Sequence, residues 1–247
     1  KDKEFQEFYD MFYVPNNAVL TIAGDIEIDE TKQLVEKYFA DIPKGTQEIY
    51  RPQVTEPEKH KEIRDTVYDN IQLPAVIQAY HLPAMGSDDY YAVDMLSTLL
   101  SRGESSRLYK TLVDEKQLAL VAASFPLPYE DPGLALTYLI PNMNVDPAEL
   151  EKAVNQEIEK VRNEYITDKE LRKLKNQIES QIVSSNTTLA SRAYNMAINY
   201  TFFKNTNLVN TEIEKYRAVT KEDIKRVANK YFRDDNRVVL YYLPKKN

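Results

Sequence analysis

Apolar residues recur along this chain at two spacings, and the switches between them predict its elements. Phe5, Phe8 and Phe12 fall at i, i+3 and i+7, one face of a helix that Val14-Pro15 closes. A continuous run from Ala18 to Ala23, ended by Gly24, reads as a strand. Asp29 is placed to cap a second helix with Leu34, Val35, Tyr38 and Phe39 inward and Pro43 just past its end. The segment from Gly45 to Pro57 has no periodicity and carries Pro52 and Pro57, so it reads as a linker. Beyond it come strands near 62–68 and 75–82, joined by a turn at Asp69-Asn70, and a helix through Ala92, Met95, Leu96 and Leu99.

The most tightly specified stretch follows, from Gly103 to Val121. Gly103 and Glu104 break the preceding helix, and Ser105 and Ser106 are candidate N-caps. Leu108 and Leu112 lie at i and i+4 on the next helix, and Leu118, Leu120 and Ala122 alternate as the buried side of a strand. A strand over 134–140 returns through Asp131-Pro132-Gly133, which makes an antiparallel pair. Leu150, Val154, Ile158, Val161 and Tyr165 predict a long helix, and Thr167 with Glu170 forms a capping box for its successor. More helix covers 189–203. A helix through Ile224, Val227, Ala228 and Tyr231 then leads into a last strand over 238–243. The predicted fold class is α+β, with helices packed on one face of an antiparallel-rich sheet.

Phe12-Tyr13, Asn16-Asn17 and Val19-Leu20 echo Tyr231-Phe232, Asp235-Asn236 and Val238-Val239 at one constant offset. Each copy is a helix ending in paired aromatics, a polar turn and an apolar strand, the trace of a duplicated module. The chain starts Lys-Asp-Lys-Glu-Phe, without Met, and is expected to be a piece of a longer protein.

Composition removes several classes of function. A net charge of −7 argues against nucleic acid, which rewards clustered Lys and Arg. The 18 tyrosines have no basic stripe beside them and read as core edge and surface, not a base-stacking platform. No run approaches the roughly 20 apolar residues of a membrane helix, so no membrane partner is expected. Without cysteine there is no disulfide, thiolate nucleophile or Cys-based zinc site.

The two histidines, His60 in the charged run from Glu58 to Glu62 and His81 near a strand end, have no i, i+4 pairing. They read as a solvated and a strand-end side chain, not as zinc ligands. Five glycines supply neither a G-x-G-x-x-G nor a phosphate loop. The Asp88-Asp89 and Asp234-Asp235 pairs are read as caps and turns. No catalytic, metal-binding or substrate-binding residue is assigned to this chain.

Several stretches nonetheless resemble a known family. Tyr13-Val14-Pro15-Asn16-Asn17-Ala18-Val19-Leu20 through Gly24-Asp25, with Val35-Glu36-Lys37-Tyr38-Phe39, resembles the end of the first module of the pitrilysin/insulinase zinc metallopeptidases. Ser105-Ser106-Arg107-Leu108-Tyr109 and Thr220-Lys221-Glu222-Asp223-Ile224 with Tyr231 resemble that family's second module. The likeness is to the bacterial processing-peptidase-like branch.

The resemblance implies 1–45 as the tail of a zinc-bearing module, 46–57 as linker and 58–247 as the C-terminal module of a clamshell around a peptide substrate. It implies zinc in the parent protein, on an inverzincin His-x-x-Glu-His that this chain lacks, so the chain alone is expected to be inactive. Expected partners are the upstream module and a homologous subunit, as heterodimer or homodimer. The compartment, bacterial cytoplasm or periplasm, stays open. Many members carry an Arg and a Tyr that reach substrate from the second module. The matching positions are Val113 and Leu120, both expected in the core. A non-catalytic partner or scaffold subunit, and a peptide-binding module without activity, remain as alternatives.

Overall fold

The computed structural model describes residues 2–53 and 56–245. Its sheet has five strands, β1 (Ile63–Asp69), β2 (Ala75–His81), β3 (Ala119–Leu127), β4 (Leu134–Pro141) and β5 (Arg237–Pro244), in the order β1-β5-β2-β4-β3. The α-helices are α1 (Asp2–Phe12), α2 (Ile28–Phe39), α3 (Asp88–Ser101), α4 (Pro147–Asn163), α5 (Asp168–Ser185), α6 (Leu189–Phe203), α7 (Leu208–Ala218) and α8 (Lys221–Tyr231). The expected α+β class holds. Among the described residues only the β1–β5 pair is parallel.

The strands on either side of the Asp69-Asn70 turn do not pair, because the last strand of the chain lies between them. β5 carries Val239, fully buried, and needs neighbours on both sides. β1 is exposed along most of its length and carries Arg64, Asp65 and Thr66, a composition suited to a sheet edge. β3 and β4 pair antiparallel as predicted. Their turn depends on Gly133, where a Cβ would come within 2.4 Å of the Leu127 carbonyl oxygen.

Register assigns the two faces. Val76 faces Leu139 and Tyr241, Gln78 faces Thr137 and Val239, and Tyr80 faces Ala135 and Arg237. This side is buried beneath helices: α3 contacts β3, α4 contacts β2 and β4, and both helices contact α8. Phe232, just after α8, packs against the Tyr80 ring, tilted by 34° with centroids 4.9 Å apart. The opposite side carries Ile77, Leu136, Tyr138, Ile140 and Leu240, all partly exposed.

Two helix starts follow their sequence signals. Thr167 donates its backbone N–H to Glu170 Oε2 at 2.8 Å, while Glu170 N–H reaches Thr167 Oγ1 at 3.2 Å. Thr220 and Asp223 form the same reciprocal cap on α8.

Three local expectations are corrected. Ala18 to Ala23 is not a strand: no described strand pairs with it, and Leu20 and Ile22 stand exposed. A strand needs a neighbour for its N–H and C=O groups, and this segment has none. Over Tyr109–Glu115 the helix is π-wound. Leu108 and Leu112 are still fully buried, but Ser106 Oγ, expected as a cap, is buried without a hydrogen-bond partner. The alternation of β3 is also displaced, as Ala119 pairs with Pro141 and Val121 with Ile140, which makes Leu120 a bulge residue. Leu120 is therefore 47% exposed instead of packing in the core.

The described chain separates into two compact units, one of Lys1–Glu56 with Gln181–Glu212, the other of Pro57–Ser180 with Ile213–Asn247. The second holds the sheet and α3, α4 and α8. In the first, α1 and α2 bury no residue, and Phe5, Tyr13, Ile28 and Tyr38 are each more than 60% exposed. Gly45 N–H bonds Asn16 Oδ1 at 2.8 Å and ties the two ends of this segment together. Over 46–53 and 56–57 there is neither helix nor strand, and residues 54 and 55 of the expected linker lie outside the described residues.

Candidate functional site

The sheet's polar centre was not visible in the sequence. Arg64 on β1 donates to Glu151 on α4 through both Nη atoms, at 3.1 and 2.5 Å, and also bonds Glu62. Tyr241 on β5 donates its hydroxyl to Glu151 at 2.5 Å. Arg237 bonds Glu62 at 2.5 Å and Asn155 at 2.9 Å, and Asn155 also accepts from Gln78 at 2.8 Å. The Glu151 and Arg237 side chains are each only 6% exposed. Glu62, read from sequence as part of a wet charged run, is three-quarters buried within this network.

Charge is balanced inside the cluster, and that balance sets its proton chemistry. Burial alone would raise the Glu151 carboxyl, but Arg64, Tyr241 and Arg237 outweigh it and hold the group below the ordinary range. The same opposition, with Arg64 and Arg237 prevailing, lowers Glu62. Burial, reinforced by Glu151, pushes the Tyr241 phenol up to about 12, and burial does the same for Tyr80. Every one of these shifts leads away from neutrality. The cluster has no proton to exchange near pH 7, and it clamps β1, β5 and α4 together.

A second polar anchor is Asp89, at the start of α3. Its carboxylate accepts from Arg226 at 2.6 Å, Lys230 at 2.8 Å and Tyr231 at 2.7 Å, all on α8. Burial opposes ionisation there, but Lys230, Tyr231 and Arg226 bring its pKa down to about 2. Sequence reasoning treated Asp88 and Asp89 alike. Asp88 stays almost wholly exposed, whereas Asp89 bolts two helices together. Asp234 and Asp235 pair locally, with Arg237 and Arg233.

No group of three or more His, Asp or Glu side chains among the described residues could hold a metal ion. His60 is exposed, and His81 ends β2, half-buried. The donors among the described residues do not fit a zinc centre. Among the described residues no helix is long and apolar enough to cross a membrane.

The remaining feature is the sheet's uncovered side. Val121, Ala123 and Phe125 of β3 lie opposite Ile140, Tyr138 and Leu136 of β4, so they extend that half-exposed apolar face to the sheet edge. Val121 is 37% and Phe125 41% exposed. Among the described residues β3 pairs only with β4, although Ser101 already donates to the Ser124 carbonyl at 2.5 Å.

The chain belongs to a known family: the peptidase M16 inactive domain matches residues 2–178. The zinc protease PqqE of Helicobacter pylori is 29% identical over 244 residues, covering 98% of this chain and 55% of that protein. The uncharacterized zinc protease YmxG of Bacillus subtilis is 24% identical over 230 residues, 93% of this chain and 54% of that protein. The crystal structure of a protease from Helicobacter pylori superposes with a TM-score of 0.92 at 27% identity, over 99% of this chain and 59% of that one. The peptidase M16 inactive domain from Pseudomonas fluorescens shares the fold, with a TM-score of 0.76 at 18% identity over 90% of this chain and 53% of that one. The chain spans about half the length of the curated relatives it matches. The pitrilysin/insulinase resemblance drawn from the sequence therefore stands.

Proposed function

We propose that this chain is the closing, non-zinc-binding portion of a zinc metallopeptidase, and that its uncovered sheet face walls the space where a peptide is held. In this reading 1–45 is the tail of a zinc-bearing module, 46–57 the linker and 58–247 the C-terminal module. The zinc belongs to the parent protein on ligands outside this chain, and a homologous subunit completes the enclosure. The observation that carries the proposal is the continuous apolar face from Leu240 through Ile77 and Leu136 to Phe125, whose side chains stay partly exposed. It ends in a strand edge to which an extended peptide can add by backbone pairing. The bareness of α1, α2 and 18–23 supports the domain assignment, since their apolar side chains lack a core to enter.

Hydrogen exchange on the chain mixed with extended peptides tests the wall. The expected result is added protection over 119–127 and 134–141, and unchanged exchange there refutes it. A second reading, that the parent is the non-catalytic partner in a heterodimer, draws on Val113 and Leu120. Neither offers a hydrogen bond where many members have Arg and Tyr. Zinc content and peptide cleavage by the full-length protein, with and without its homologue, separate the two. Full-rate cleavage without a partner rules out the heterodimer, and absence of zinc from the full-length protein rules out its catalytic role.

A further inference from the structure

On this acidic protein a basic patch lies along α5. A groove of about 680 Å³ runs beside that helix and is lined by Arg102, Lys169, Arg172 and Lys173 at one end. The neutral Asn176, Gln177 and Ser180 line the other end. Residues 169, 172, 173, 176, 177 and 180 follow helical spacing, so they share one side of α5. No carboxylate lines the groove.

The acidic residues nearby are committed elsewhere. Glu170 pairs with Arg107 at 3.0 Å, Asp168 with Lys221 at 2.7 Å, and Glu179 with Arg217 at 2.7 Å. Asp168 also feels Arg172, and Arg102 acts on the buried Asp94, whose carboxylate accepts from Tyr216 at 2.9 Å. Among the described residues neither Lys169 nor Arg172 forms a salt bridge. Lys173 is preset: its Nζ donates to the Ser105 carbonyl at 3.2 Å and to Ser105 Oγ at 2.5 Å. One of its three N–H donors stays available.

We infer that this groove is a docking site for an acidic stretch of extended polypeptide. Like charges three and four residues apart on a helix oppose its stability, and an incoming carboxylate relieves that opposition while gaining charge-assisted hydrogen bonds. The groove's span along α5, about 16 Å at 1.5 Å per residue, matches roughly five residues of extended chain. Carboxylates meet the cations at one end, and the amide and hydroxyl groups at the other serve the peptide backbone. No aromatic ring lines the groove to stack a base, and no large apolar side chain is there to enter a bilayer. These absences favour peptide over nucleic acid or membrane. The assignment is independent of whether the parent protein is a peptidase.

Fluorescence anisotropy of the whole chain with a labelled peptide of alternating Glu and Ser tests it, at roughly 50 mM salt where screening is weak. The Glu peptide is expected to bind at least about tenfold more tightly than its Gln counterpart. Binding should weaken by a similar factor in both Lys169→Glu and Arg172→Glu, and change less than about twofold in Lys152→Glu on α4. Both targeted side chains are exposed, and far-UV circular dichroism verifies that the variants fold. Equal affinity for the Glu and Gln peptides, or full affinity retained in the charge-reversed variants, overturns the proposal. So does inorganic phosphate alone displacing the peptide at equal concentration. Binding to vesicles containing phosphatidylserine that exceeds peptide binding and depends on Arg172 overturns it in favour of a membrane surface.

Discussion

Replacing Glu151 with Ala should destabilise the sheet-bearing unit more than any surface change. The carboxylate is 6% exposed and receives three hydrogen bonds, two from Arg64 and one from Tyr241, with Arg237 Nη2 a further 3.9 Å away. Its removal leaves Arg237 buried with less countercharge and the Tyr241 hydroxyl without its acceptor. Breaking a buried pair from one side costs about 3–5 kcal/mol, and the lower figure is expected here because Arg64 is 47% exposed. For a domain of this size that lowers Tm by about 2–4 °C per kcal/mol, roughly 6–12 °C in all. Glu151→Gln keeps the volume but not the charge and should fall between wild type and Ala.

Urea denaturation followed by far-UV circular dichroism is the suitable assay, since the chain has no tryptophan and a guanidinium salt would screen the pair. The acid dependence supplies a second check. The Glu151 carboxyl is depressed in the folded state, so its contribution is fully present above the unfolded glutamate pKa of about 4.3. That contribution is lost as pH falls through the lower folded value. The gap between wild type and Glu151→Ala should thus be level from about pH 6 to 8 and narrow below about pH 4. A loss under about 1 kcal/mol, or a gap that widens on acidification, would refute the buried-clamp argument.

Asp89→Asn should cost about 1–2 kcal/mol, discounted because Arg226 and Lys230 are half exposed. With its folded pKa near 2, the gap to wild type should close as pH drops from about 4 towards 2, and a constant gap in acid urea titrations would speak against the assignment. Thr220→Ala removes one half of the α8 capping box and should lose about 1 kcal/mol by the same assay. Leu120→Ser, at the exposed bulge, should stay within about 0.5 kcal/mol of wild type, whereas Leu139→Ala in the fully buried layer should lose about 2–5 kcal/mol. Equal losses at the two leucines would show the bulge to be misplaced.

Local periodicity and capping chemistry were enough to place most elements. The Phe5/Phe8/Phe12 stripe marked α1, the Thr167/Glu170 box opened α5, and the turn at Gly133 joined an antiparallel pair. These signals act over four or five residues, within the reach of side chains on one helix or hairpin.

What the sequence left undecided depends on groups distant in the chain. Insertion of β5 between β1 and β2 could not be read from either strand alone, since both alternate acceptably for several neighbours. The exposure of Leu120 follows from a one-residue mismatch with β4, and an alternation pattern carries no record of its partner's register. Asp89 read as a cap residue at an element end, and nothing in the sequence marked Glu151. Burial beside Arg64 and Arg237, or against α8, makes them anchors, because desolvation and countercharge belong to the folded arrangement and not to the residue. Likewise 18–23 has the composition of a strand but no sheet to join. Composition decides what a segment can become, and its neighbours in space decide what it is.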